Sequence, residues 1–362
     1  MNSSIQIGKI MGIPIKLHIT FLLIIPVFGY MFANNLFSDV EPFWFRYGLG
    51  LAVAVLLFTC VLLHELGHSY VAKKHGTNIQ GITLFLFGGV SSLEDIPRNP
   101  KVEFKMALAG PSISLLIGSI LIILYKLLAV DIPMNNPFLR LVLLLGEINI
   151  ILFIFNLIPA FPMDGGRVLR AILAGRMSYI KATSIAANVG KMFAILMGIF
   201  GFMDAMQGGS GFWFILIGFF IYIGASEEEK STQVSITLEG VKIKEIMTRD
   251  VKTVSSGMSV EELVDFMFRF KHMGYPVVEG TEVRGIVTFT DVQNVPREQR
   301  KNVRVSEIMT KEIISLEEDD DAVKALKLMT LNNIGRIIII QDKKMTGIVS
   351  RTDILRSVQL LE

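Results

Sequence analysis

The sequence predicts a polytopic α-helical membrane bundle joined to a soluble, internally duplicated α/β module. Three observations carry this. Apolar runs long enough to cross about 30 Å of hydrocarbon recur in the first part of the chain. Charge is sparse there and dense afterwards: 25 of the first 226 residues are Lys, Arg, Asp or Glu, against 43 of the last 136. The charge-rich part also repeats itself at a shift of 62 residues. Over all 362 residues, 51% are hydrophobic and only 19% charged, below the quarter usual for soluble proteins. This division excludes a single globular domain of uniform composition and a disordered chain. The one cysteine, Cys60, excludes a disulfide scaffold. A net charge of +2 leaves no case for nucleic acid as a partner.

Six apolar runs read as spans, at 15–33, 48–71, 106–130, 138–158, 184–204 and 212–225. The first is too long, and lacks the small-residue cleavage pattern, for a removable signal peptide. Glu147 interrupts the fourth and Lys191 the fifth. With the N-terminus in the cytoplasm, twelve basic residues fall on inside segments; three, Arg46, Lys126 and Arg140, fall outside. Six spans then give a multi-pass cell-membrane protein with both termini cytoplasmic. Residues 81–90, between the second and third runs, are apolar but too short to span. They are rich in β-formers and hold a Gly pair, which predicts a strand or hairpin dipping into the membrane. The alternative is an apolar loop packed on the bundle.

The chemistry sits at the cytoplasmic end of the second run, in His64-Glu-Leu-Gly-His68. Residues four apart share a helix face, so both imidazoles can reach one ion, as zinc needs. Glu65 stands beside them and can accept a proton from an attacking water. Ionisable groups inside an apolar helix are expensive without partners, which makes such a cluster functional by default. A hydrolytic zinc site wants a third protein ligand. Of the remaining histidines, His272 lies in the soluble part and His75 follows two lysines at a helix end. The better candidate is Asp164, in Asn156-Leu-Ile-Pro-Ala-Phe-Pro-Met-Asp-Gly-Gly166. Its prolines and glycines break the helix and leave Asp164 on irregular backbone at the same membrane side as His68. An N-cap role for Asp164 on the next helix stays open.

The two motifs together, His64-Glu65-x-x-His68 and Asn156-x-x-Pro159-x-x-Pro162-x-Asp164, resemble the site-2 protease family of intramembrane zinc metalloproteases over roughly residues 5–225. The resemblance implies one Zn2+ per chain held by His64, His68 and Asp164, with Glu65 as catalytic base. It implies Asn156 as a substrate or oxyanion contact. It also implies a membrane-dipping hairpin at 81–90 that can add a strand to an unwound substrate. The implied substrates are transmembrane segments of membrane proteins.

Four further residues lie in or near the spans. Cys60 is one turn before His64 and reads as a small buried packing group. Glu147 lies near mid-depth in the fourth run and reads as inward-facing, pairing with a bundle partner or lining a water path. Asn149 is seven residues before Asn156 and so on the same face, a weaker site candidate. His18 opens the first run and reads as an interfacial anchor.

In the duplicated part, Glu245-Ile-Met-Thr248 matches Glu307-Ile-Met-Thr310, and Gly285-Ile-Val-Thr288-x-Thr290-Asp291 matches Gly347-Ile-Val-Ser350-x-Thr352-Asp353. Each copy reads as a helix, two strands and a last helix. Copies of about 60 residues are marginal alone and should pack on one another. The repeat resembles a tandem pair of CBS (cystathionine-β-synthase) domains, covering about residues 241–358. That resemblance implies an adenine nucleotide, AMP, ADP or ATP, held by Thr288, Thr290, Asp291, Ser350, Thr352 and Asp353, or else a pair that only packs or dimerises. It also implies a homodimer through the CBS domains.

The expected organisation is a protease domain at 1–226, a polar linker at 227–240, and CBS domains at 241–300 and 301–362. Two other classes compete. A CBS-regulated channel or transporter predicts broken helices repeated in two halves, and the membrane part shows no repeat. A pseudoprotease predicts loss of Glu65 or a ligand, and none is lost.

Overall fold

The computed structural model describes residues 4–85, 88–93, 98–280, 282–342 and 344–361. They form two compact units, Met1–Thr232 and Gln233–Glu362.

The first unit opens with an antiparallel pair, β1 (Ser4–Ile10) and β2 (Ile13–His18). Helix α1 (Ile19–Leu36) follows, and His18 caps it: the imidazole Nδ1 accepts from the Thr20 backbone N–H at 3.3 Å. The long α2 (Phe43–Lys74) carries both candidate histidines and ends on Lys73 and Lys74, which suit the negative end of the helix dipole. Strands β3 (Ile79–Phe85) and β4 (Gly88–Leu93) pair antiparallel, and β3 runs parallel to β2, giving the order β1-β2-β3-β4. Ile13, Ile15, Ile82 and Leu84 of this sheet pack on Leu66 of α2, which seats the sheet beside the histidines. The stretch expected as a hairpin, 81–90, is thus shared between two strands; residues 86–87 lie outside the described residues.

Helices α3 (Pro100–Leu128) and α4 (Pro137–Asn156) each begin with Pro, and Asn99 and Asn136 cap them through side-chain oxygens. α4 stops at Asn156 because Pro159 and Pro162 follow. The short α5 (Asp164–Ala174), then α6 (Tyr179–Met206) and α7 (Phe212–Thr237) complete the unit.

Among the described residues, five helices are long and apolar enough to cross a membrane: α1, α2, α3, α4 and α6. Their outer faces expose Leu23, Leu116, Ile123 and Phe200, as a surface solvated by lipid requires. The six-span expectation is not met by this measure. The sixth run opens α7, but from Ser226 that helix reads Ser-Glu-Glu-Glu-Lys. Its apolar half, of about 14 residues, rises only about 21 Å. Residues 227–237, expected as linker, continue the same helix. Glu229 accepts from Lys191 Nζ at 2.5 Å, so the charge that interrupts the fifth run is paired. Glu147, expected to face inward, is instead exposed on α4.

The second unit builds each repeat as a three-stranded sheet flanked by helices. The first repeat holds α8 (Ile243–Ile246), β5 (Val254–Ser255), α9 (Val260–Phe270), β6 (Gly274–Glu279), β7 (Glu282–Thr288) and α10 (Phe289–Gln293). The second holds α11 (Val305–Ile308), β8 (Ser315–Leu316), α12 (Ala322–Leu331), β9 (Arg336–Gln341), β10 (Lys344–Ser350) and α13 (Arg351–Leu361). The first turn of each repeat is buried in the other's core: Ile243 packs with Ile337, Ile339 and Val349, and Val305 with Val277 and Val287. Thr248 bridges to Ile348, and Ile286 to Thr310, so each Glu-Ile-Met-Thr segment clasps the other repeat's last strand. Glycine is required at that clasp, since a Cβ on Gly285 would lie 2.6 Å from the Thr310 carbonyl oxygen.

Candidate metal centre

Helix α2 presents His64 and His68 on one face, and both are buried, at 6% and 7% exposure. Their Nε2 atoms are 3.1 Å apart. Asp164 Oδ2 lies 3.1 Å from each. The carboxylate arrives from the N-terminus of α5, about a hundred residues along the chain. Asp164 is not the cap of that helix. Met163 holds the cap position, and the Asp164 carboxylate is directed at the imidazoles.

The other ring nitrogens are anchored on α3. His68 Nδ1 donates to the Met106 carbonyl at 2.7 Å, which leaves Nε2 as the bare nitrogen. His64 Nδ1 shares a 2.8 Å hydrogen bond with Ser114 Oγ. Gly110 sits between them, and a Cβ there would lie 2.1 Å from His68 Nε2 and 2.6 Å from His64 Nε2.

Two imidazole nitrogens and a carboxylate oxygen converging at 3.1 Å form one triangular face. A tetrahedral zinc with bonds of about 2.0–2.1 Å needs edges of roughly 3.3–3.4 Å, so the donor set fits zinc in kind and in size. Among the described residues this is the one group of three His, Cys, Asp or Glu side chains that could hold a metal ion. Glu65 is adjacent on α2 and faces β4: a Cβ on Gly89 would lie 2.7 Å from Glu65 Cγ. Arg167, one turn after Asp164, adds positive charge within electrostatic reach of both Asp164 and Glu65.

Residues 52–197 match peptidase family M50, and residues 243–298 and 305–360 each match the CBS domain. A zinc metalloprotease of Methanocaldococcus jannaschii is 40% identical, over 100% of this chain and 98% of its own length. The chain belongs to peptidase family M50. It is a site-2 protease family zinc metalloprotease with a tandem CBS pair, and an integral membrane protein. The stage IV sporulation protein FB of Bacillus subtilis is 28% identical over 44% of this chain and 55% of that protein. A solved site-2 protease from Methanocaldococcus jannaschii is 43% identical, covers 62% of this chain and 95% of that one, and superposes with a TM-score of 0.45.

The remaining expected residues fall outside the cluster. Asn156 ends α4 and donates its amide to the Leu152 carbonyl at 2.9 Å. Asn149 is buried and donates to the Leu145 carbonyl at 2.7 Å. Cys60 is buried and not part of the cluster, and His18 is the α1 cap. In the M50 chain's CBS pair, Asp291 Oδ2 accepts from Thr288 N and Oγ1, and Asp353 Oδ2 from Ser350 N and Oγ. Both aspartates therefore also serve as helix-start hydrogen-bond acceptors. Thr290 and Thr352 are exposed. No sequence motif marks Met106, Gly110 and Ser114. The available signal was a stripe of small and polar residues at helical spacing inside an apolar span.

Proposed function

We propose that this chain is an intramembrane zinc endopeptidase that hydrolyses peptide bonds in or near transmembrane segments, regulated by an adenine nucleotide at the CBS pair. The convergence of His64, His68 and Asp164 beside Glu65 carries the reading. The three side chains hold the metal and Glu65 is the base. When bound, zinc supplies Lewis-acid polarisation of the scissile carbonyl and a lowered water pKa. Glu65 accepts the proton of the attacking water on its carboxylate and delivers it to the leaving amine. The Met106 carbonyl and Ser114 hydroxyl hold the two rings in the orientation this requires.

A helical substrate shields its own carbonyls and must unwind before attack. Strand β4 ends the sheet order and lies against Glu65, which supports strand addition of the unwound segment there. For Asn156 to reach substrate, its amide must leave the Leu152 carbonyl. Both termini are proposed to be cytoplasmic, on the twelve-to-three bias of basic residues, which requires the apolar half of α7 to complete a sixth crossing. The test is cleavage of a transmembrane substrate by wild type and Glu65→Gln, with zinc content measured in both. Zinc-loaded wild type that cleaves nothing across a broad panel sinks the reading. For the CBS pair the test is ATP, ADP and AMP titration. Unchanged cleavage with nucleotide demonstrably bound removes the regulatory part.

A further inference from the structure

A guanidinium buried in an apolar bundle is expensive unless the charges around it answer it. Arg170, on α5, is 1% exposed and is among the largest fully buried side chains of the described residues. Its Nε donates to Glu103 Oε1 at 2.7 Å, and Glu103, on α3, is itself 0% exposed. Its Nη1 donates to Glu228 Oε1 at 3.0 Å and to Thr232 Oγ1 at 3.4 Å, both on α7. The rings of Phe161 and Tyr179 cover the guanidinium at 4.8 and 4.9 Å.

The placement of Glu103 gives this cluster its meaning. Glu103, Met106, Gly110 and Ser114 follow one another at helical intervals of three and four, so they form one stripe on α3. Ser114 and Met106 anchor the two histidines, and Gly110 admits both rings. Glu103, at the end of the same stripe, anchors the helix that delivers Asp164. All three candidate ligands are thus referenced to a single helix face. The first turn of α5 is also in backbone contact with the loop before it: a Cβ on Gly165 would lie 2.2 Å from the Ile158 carbonyl oxygen. Asp164 is the first residue of this packed helix, so its place follows that of α5, and metal–ligand distances tolerate only about ±0.2 Å.

We propose that Arg170 is a positioning residue for the metal centre: held by Glu103 of α3 and Glu228 of α7, it fixes α5 so that Asp164 meets His64 and His68. It rests on the reading of those three as metal ligands. Because α7 supplies two of the partners, a displacement of α7 reaches Asp164 through Arg170.

The test uses full-length protein in detergent and reads metal binding directly, by zinc competition with a chelator and by the visible spectrum of the cobalt-substituted protein. Arg170→Ala would strand Glu103, so the informative variant is the pair Glu103→Gln with Arg170→Met, which removes both charges at similar volume. The paired variant is expected to fold and to bind zinc about 10–100-fold more weakly, with an altered cobalt spectrum and a lowered kcat at constant KM. Glu228→Gln and Arg170→Lys are expected to weaken zinc in the same direction by less. A folded paired variant with wild-type affinity and cobalt spectrum overturns the proposal. If the pair fails to fold, wild-type zinc affinity in both Glu228→Gln and Arg170→Lys overturns it. Wild-type chain that takes up neither metal overturns the underlying ligand reading instead, before any variant is compared.

Discussion

Gly110 and His68 approach so closely that no side chain fits between them: a Cβ on Gly110 would stand 2.1 Å from Nε2, the atom aimed at Asp164. The ring cannot retreat, because its Nδ1 is held by the Met106 carbonyl. Gly110→Ala is therefore expected to eject at least one imidazole from the cluster. Zinc content should fall below half an ion per chain, and cleavage should drop by about 100-fold or more. Elemental analysis with a cleavage assay checks this.

Glu65→Gln is expected to separate binding from chemistry. The amide keeps the shape of the carboxylate but cannot accept the proton. Cleavage should fall by roughly 10²–10⁴-fold while zinc stoichiometry stays at the wild-type value. Parallel loss of zinc would place Glu65 among the ligands instead.

Cys60 lies one turn from His64 yet outside the cluster. Cys60→Ala should leave zinc stoichiometry unchanged, with cleavage within about twofold of wild type and a small loss of stability from the cavity. Zinc titration and thermal unfolding report the two effects separately.

In the CBS pair, Gly285 meets the Thr310 carbonyl and Gly347 the Thr248 carbonyl, at 2.6 and 3.0 Å from a notional Cβ. Gly285→Ala should destabilise the second unit by about 1–3 kcal/mol, because backbone rather than a flexible side chain must yield. Gly347→Ala should cost less. Hydrogen exchange at Ile286 and Ile348, the bridged residues, is the measurement.

Acid should loosen the same unit. The backbone N–H and hydroxyl of Ser259 hold Glu262 below its ordinary 4.5, and the Ser256 hydroxyl, then Arg284, do the same for Glu279. A carboxyl lowered by folding contributes stability that is complete above its unfolded value and disappears as pH falls through the lowered one. The unfolding temperature of this unit should therefore decline as pH drops from about 5 toward 3, and Glu262→Gln should flatten that decline.

Much of the chain's plan is written locally. A 3.6-residue period puts His64 and His68 on one face without help from any other helix. Pro159 and Pro162 end α4 by chemistry alone. Helix α9 begins at Val260 because Ser259 and Glu262 form a capping box at its start. The span count was less legible. Hydropathy saw the apolar half of α7 but not that its acidic half stays helical, held by Lys191 and Arg170. The exposed position of Glu147 on α4 depends on helix packing that periodicity does not carry.

By itself the sequence determined the membrane part, the charge-rich duplicated part, the His64-Glu-Leu-Gly-His68 motif and the 62-residue repeat, since each is a matter of composition or short-range spacing. Only the tertiary structure decided that Asp164 closes on the two imidazoles, that one stripe of α3 anchors them, that Arg170 connects that stripe to α7, and that each CBS repeat buries its first turn in the other. These arrangements join residues from about forty to a hundred positions apart. No local preference encodes them, because they exist only once helices pack and buried polar groups must find partners.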